Sequence, residues 1–455
     1  MIDLDVYEPE VYLIAWLRGE YGPEELVAYG ANACIKRDDP LTIYKSHLAE
    51  GRDISSFVDR VLDVTIGSGH LGVLDQASFT FVIRNVPRLT TLFLVSPIYL
   101  SHLQQSMRSV EPYGYYLPPS IVKSDLYESV KSEVTRSIQL YYKLVKWGVP
   151  KEDARYVIPL YTVTNIQTTG NGREFTHLYL MSLDESIPTV TKLVVSKIWE
   201  ILNMKFPRLF KNREVNMNRV RYYPALQLFN EESKIGKFVD VESISCCEVE
   251  LINYCMPIKL PPEELYRGVV LSDESLFSTL KLIKFMFAAK MSFAALHQAI
   301  RQRTWHHVTE SIYEALERLE YVTPKSIIQK RLDKEYSYQV ERLYDLYNKL
   351  IDHGIEKYDA VGVVSHAHVI TDVFTIDGWN IIGALPLRRC LKSQWEIRKI
   401  ANNISLHISM IDENLAKLSM PPCIVYGKCS ERYPCDHKGI LMRRRSLLEK
   451  TDLHD

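Results

Sequence analysis

The chain lacks a long apolar run, a net charge and an ordered set of cysteines, and each absence removes a class of function. No stretch is apolar over the length needed to span a bilayer, so a membrane partner is not expected. The start, Met1-Ile2-Asp3-Leu4-Asp5, is acidic and leads into no apolar core of the kind a secretory signal carries. Lysine and arginine together number 55 against 56 acids, a formal charge of −1. Such a balance supplies no attraction for a phosphate backbone, so nucleic acid is not an expected partner. The run Arg443-Arg444-Arg445 reads as a solvated tail. The eight cysteines are scattered, which fits reduced thiols in the cytoplasm.

What is present is a globular composition, 46% hydrophobic and 24% charged, over 455 residues, enough for more than one domain. Residues 77–84 alternate as a half-buried strand does, and Asn85-Val86-Pro87 reads as a turn. Helices are predicted over 120–148, with Ser124 or Asp125 as cap, from 151 onward, and over 187–207. The second half repeats this order. Val249-Glu250-Leu251-Ile252 echoes Val11-Tyr12-Leu13-Ile14, and Tyr321 to Ile327 echoes Tyr116 to Ile121. A helical stretch is predicted over 276–320, and a long helix over 332–353 stops at Gly354 as the earlier one stops at Gly148. Gln394-Trp395-Glu396-Ile397 echoes Ile198-Trp199-Glu200-Ile201. Echoes in one order at an offset of about two hundred residues indicate a domain duplication rather than a short-period solenoid. The boundaries this implies are 1–206 for copy one, 207–243 for a connection, 244–420 for copy two and 421–455 for a tail.

The most informative stretch runs Arg301-Gln302-Arg303-Thr304-Trp305-His306-His307-Val308-Thr309-Glu310-Ser311. Guanidinium groups suit phosphates because they donate two parallel hydrogen bonds. Taken alone, the two arginines read as a solvated helix face. The whole stretch, however, resembles the R-H-R…S signature of the flavin-dependent thymidylate synthases, with Gln302 at the central His. Gln298 matches a Gln common in that family. Leu387-Arg388 followed by Gln394-Trp395-Glu396-Ile397-Arg398 resembles its L-R…Q-W-E-I-R segment. Copy one is similar to the same template: Gly69-His70 to its G-H, Gln104-Gln105-Ser106-Met107-Arg108 to Q-Q-S-x-R. There Gly148-Val149-Pro150…Ala154-Arg155…Pro159 matches G-V-P…A-R…P, and Asn171-Gly172-Arg173 matches N-x-R, with His177 where an Asn is common.

The losses are complementary. Copy one has Ser96, Pro97 and Ile98 at the R-H-R positions, Ser182 at the L-R arginine and Leu202 at the last arginine of Q-W-E-I-R. Copy two has Tyr313, Val361, Asp377 and Trp379 where copy one keeps Arg108, Arg155, Asn171 and Arg173. The resemblance implies an α+β fold of two tandem thymidylate synthase complementing protein-like domains, each a mixed or antiparallel sheet packed with long helices. It implies reductive methylation of dUMP to dTMP with FAD as cofactor and methylene-tetrahydrofolate and NADPH as co-substrates. By the same resemblance Gln298, Ser106, Arg108, Arg155 and Arg388 hold dUMP. Arg301, Gln302, Arg303, Asn171, Arg173, His177 and His70 face FAD, and Arg388 and Ser106 are the catalytic candidates. The sites are then composite, built from both copies, in a homodimer imitating the family's tetramer. The alternatives are a non-catalytic flavin- or nucleotide-binding paralogue and a flavin enzyme acting on another uridine nucleotide. In the tail, Cys423, Cys429 and Cys435 with His437 form a weak candidate zinc set; the spacing is wider than zinc sites favour, and the plainer reading is reduced thiols with no metal.

Overall fold

Two four-stranded antiparallel sheets, each flanked by helices, carry an α+β fold in the computed structural model, which describes residues 4–211, 222–427, 429, 431–432 and 434–435. In the first sheet the strands lie in the order Glu10–Trp16, Ser78–Pro87, Val163–Asn171, Ser101–Gln104. In the second the order is Val249–Cys255, Lys284–Ser292, Val369–Asp377, His306–Thr309, strand for strand the same. Even the irregularity in the first strand recurs, between Leu13 and Ala15 in one copy and Leu251 and Asn253 in the other. Such a bulge re-aims the side chains beyond it and is a specified feature of a sheet.

Local chemistry repeats as well. Asn171 caps the helix Gly172–Met181 by accepting from the Glu174 N–H, and Asp377 caps Gly378–Gly383 by accepting from the Asn380 N–H. The long helices Tyr127–Lys146 and Asp333–Asp352 are followed by Gly148 and Gly354, at φ 81° and 78°. A residue with a Cβ is strained in that left-handed region, so glycine closes both helices.

The chain divides into two compact units. One comprises residues 1–229 with 341–365, the other 230–340 with 366–455. In the first unit, Phe79, Phe81 and Ile83 are fully buried on one face of their strand, while Thr80, Val82 and Arg84 alternate on the other. Phe79 meets Phe206 and Phe210 at ring separations of 4.9 and 5.7 Å. Each such phenylalanine contributes roughly 1.5–3 kcal/mol by leaving water.

Three local expectations are corrected. Residues 276–320 are not one helical stretch: the strand Lys284–Ser292 and the strand His306–Thr309 lie inside it. Phe285, Phe287, Ala288, Ala289, Lys290 and Met291 are all buried, so burial on both faces erased the alternation that marks a strand. Asn85-Val86-Pro87 is no turn; the strand continues to Pro87 through a register shift, with Asn85 at φ 52° donating its N–H to Asn165 Oδ1 at 2.9 Å. The helix predicted from 120 is two helices, Pro119–Val122 and Tyr127–Lys146, and Ser124 Oγ accepts the Leu126 N–H at the break. Among the described residues no helix is long and apolar enough to cross a membrane.

Candidate nucleotide and cofactor site

Copy one gathers a buried cationic cluster. The strand Ser78–Pro87 delivers Arg88 into the short helix Arg88–Leu94, every residue of which is buried. Arg88 Nη2 donates to the Gln105 carbonyl at 2.7 Å, while its Nε has no hydrogen-bond partner. Burial, and then the neighbouring Arg155 guanidinium, push the Arg88 pKa down to about 9. Among the described residues no carboxylate contacts Arg88. A buried cation beside a second cation is costly unless an anion joins them.

The motif residues of copy one stand around this pair. Gln105 Oε1 accepts from the backbone and side-chain N–H groups of Asn165, which fixes the loop before Ser106. Ser106 is exposed and its Oγ accepts the Arg108 N–H at 3.2 Å. Glu152 bridges the two remaining arginines: its carboxylate meets Arg108 Nε at 2.8 Å and its carbonyl accepts from Arg155 Nε at 3.1 Å. The structure therefore brings together Ser106, Arg108 and Arg155, and adds Arg88. Sequence reasoning missed Arg88, although a lone arginine in the otherwise uncharged run Leu89-Thr90-Thr91-Leu92-Phe93-Leu94 was the available signal.

The N-x-R side forms a second cluster in the same unit. Asn171 is engaged as helix cap, and Arg173 Nη1 lies 3.7 Å from Asp75. Glu174 is buried, and burial pushes its carboxyl up to about 7. His177 is buried and its imidazole is pushed down to about 4, first by burial and then by Arg173. The imidazole stacks on Tyr222, centroids 4.7 Å apart and planes within 9°, and Arg173 lies over the same tyrosine ring at 5.9 Å. At the R-H-R positions Ser96 turns inward, its Oγ donating to the Phe93 carbonyl. His70 is exposed, at the start of the 3-10 turn Leu71–Gln76.

Copy two presents the other arginines. Arg301 and Arg303 are exposed just past the helix Phe293–Ala299, and Gln298 is half-buried on that helix. With its amide oxygen toward the guanidinium, Gln302 accepts from Arg388 Nη2 at 2.7 Å and Nε at 3.0 Å. Burial and then nearby Arg301 lower the Arg388 pKa. Arg301, Gln302 and Arg388 are thus brought together. Ser311 is taken up structurally, donating to the Asn230 carbonyl and accepting the Tyr313 N–H. Gln394 caps the helix Trp395–Ser409, and Arg398 Nη1 donates to the carbonyls of Leu391 and Ser393. Val361 and Tyr313, at the lost arginine positions, are buried.

Among the described residues no group of three or more His, Cys, Asp or Glu side chains is placed to hold a metal ion. Cys423 has its thiol pushed up by burial and by Cys429, Cys390 and Cys435 nearby; His437 lies outside the described residues.

The sequence model of the family described as thymidylate synthase complementing protein matches residues 17–208 and again 253–411. The chain belongs to that family, and its two matches are in tandem. Similar curated proteins include the flavin-dependent thymidylate synthase of Sulfurisphaera tokodaii, 32% identical over 164 residues, which are 34% of this chain and 63% of that protein. The protein of the same name from Geobacter sulfurreducens is 28% identical over 207 residues, 44% of this chain and 85% of the relative. The chain thus spans under two thirds of the Sulfurisphaera protein. Among solved structures, a UMP/dUMP methylase from Streptomyces cacaoi bound with 5-Br dUMP is 19% identical, with a TM-score of 0.38, covering 48% of this chain and 99% of that one.

Proposed function

We propose that this thymidylate synthase complementing family member is a flavin-dependent thymidylate synthase-like enzyme. Its reaction is the methylation of dUMP at C5, with FAD as cofactor and methylene-tetrahydrofolate and NADPH as co-substrates. One observation carries the reading: Arg88 and Arg155 are buried side by side, and among the described residues no carboxylate meets Arg88. A nucleotide monophosphate supplies the missing anion, and burial makes each charge-assisted hydrogen bond stronger than at a surface. Ser106 and Arg108 flank that pair, and Arg108 exchanges its Glu152 partner for the nucleotide. Arg388, held in plane by Gln302, is suited to a uracil carbonyl, where a fixed guanidinium stabilises negative charge developing on the ring. Gln298 completes the nucleotide set.

The donor chemistry also fits a flavin dinucleotide. Arg301 and Arg303 are solvent-accessible cations with a neutral Gln302 between them, suited to its phosphates. Bound flavin supplies the redox chemistry; the protein supplies binding, orientation and charge. The complementary motif losses support the proposal that both copies, repeats 1–206 and 244–420, contribute residues to each working site, in a homodimer in the cytoplasm.

The test is direct. Purified chain should carry a flavin absorption spectrum and release the C5 hydrogen of dUMP when given folate and reductant. Ser106→Ala in copy one and Arg301→Ala in copy two should each abolish that release; if either leaves it intact, the shared site fails. One observation favours a second reading, a binding paralogue without turnover: Gln302 is committed to Arg388. Flavin and dUMP binding without dTMP formation is its signature, and a panel of uridine nucleotides separates both from an enzyme with another acceptor.

A further inference from the structure

The part of the connection that follows residue 221 lies on the motif residues of copy one. Leu226 donates its N–H to the Ser96 carbonyl at 3.5 Å, and Phe229 meets Phe93 at 6.1 Å between centroids. Tyr223 stands edge-on to Tyr99 at 6.1 Å. Tyr222 lies flat on His177, with Arg173 over the tyrosine ring. His177 is 8% exposed and its Nδ1 has no hydrogen-bond partner. The flat imidazole face and the Arg173 guanidinium form a shelf that a planar heteroaromatic would occupy. In this chain a tyrosine already stands there.

We propose that Tyr222 is an intrachain competitor for that shelf: the segment 222–229 seats a phenol ring where the planar ring of a nucleotide cofactor would stack on His177. A phenol covers one face of the imidazole, and the wider ring system of a flavin or adenine covers more of that face than Tyr222 can. The cofactor must displace the segment, and its apparent affinity falls by the fraction of chains in the open state. The inference rests on the reading of Arg173 and His177 as cofactor-facing residues. It adds that the connection controls their access. Cofactor binding and release of the segment are then linked.

The experiment titrates FAD into the full-length chain, stripped of flavin, and into Tyr222→Leu and Tyr222→Phe variants, reading flavin fluorescence. Amide exchange of residues 222–229 is followed with and without FAD. Tyr222→Leu keeps an apolar cover without the ring and should bind about tenfold tighter or more. Tyr222→Phe keeps the stacked ring and should stay within about threefold of the parent. In the parent, FAD should raise exchange at 222–229. Unchanged or weaker binding by Tyr222→Leu, or unchanged exchange on saturation with FAD, overturns the competitor. If Tyr222→Leu does not fold, the exchange measurement on the parent decides alone. Should neither the parent nor the variants take up flavin, the cofactor reading itself has failed, an outcome distinct from flavin binding that ignores Tyr222.

Discussion

Arg88 shows how far one side chain can direct a functional reading. The residue is 6% exposed, its guanidinium bonded to a single carbonyl and set against Arg155, an arrangement that weakens the free protein. Removing the charge in Arg88→Gln should therefore cost dUMP affinity, by about ten- to a hundredfold for one charged hydrogen bond of ~1.5–3 kcal/mol. Affinity for deoxyuridine, which has no phosphate, should not change; calorimetric titration with both ligands distinguishes the two. Equal losses for nucleotide and nucleoside would rule out a phosphate contact. Glu174 makes a pH prediction. Its carboxyl titrates at about 7 when folded against 4.5 ordinarily, so its contribution to stability is full below 4.5 and is lost as pH rises through 7. His177, lowered from 6.5 to about 4, acts oppositely: its contribution is present above 6.5 and lost as pH falls through 4. The two offset each other in the parent. Glu174→Gln removes one, so urea midpoints should favour the variant at pH 7.5 and not at pH 4.5.

At the scale of elements, the equivalent helix starts differ in how tightly they are seated. A Cβ at Gly378 would lie 2.7 Å from the Leu280 carbonyl oxygen, which is backbone and cannot rotate away. At Gly172 the nearest atoms are Phe210 Cζ at 3.2 Å and the Leu74 oxygen at 3.4 Å. Gly378→Ala should cost roughly 1–3 kcal/mol as an overpacked site, and Gly172→Ala clearly less. Urea denaturation of the two variants tests the ranking, and a larger loss at Gly172 would contradict it. Elements also show where a sequence is readable. The strand Ser78–Pro87 was legible as far as Arg84, where buried and partly exposed residues alternate, and the long helices because their apolar stripes recur. Lys284–Ser292 was not, since a strand buried on both sides resembles a buried helix. The motif arginines were legible as a spaced set.

At the scale of the molecule, the first compact unit depends on residues 341–365. Asp359 accepts from Ser120 Oγ at 2.6 Å and from the Thr189 N–H at 3.1 Å, and the Gly362 carbonyl accepts from the Tyr161 N–H at 2.7 Å. Leu160 donates to the Val364 carbonyl at 2.9 Å. A fragment of residues 1–229 leaves these groups unmet in the interior and should show no cooperative thermal transition by circular dichroism, whereas the full chain should. A sharp transition in the fragment would show that residues 341–365 are dispensable to the unit.

The sequence alone determined the order of the repeat, the family resemblance and the division of motif residues between the copies, because these are side-chain types at fixed local spacings. Only the tertiary structure decided that Arg88 is buried against Arg155, that Gln302 holds Arg388, and that Tyr222 lies on His177. The physical reason is that such pairings join residues distant in the chain through burial and ring contact, and no local periodicity encodes which distant group will fill a given space.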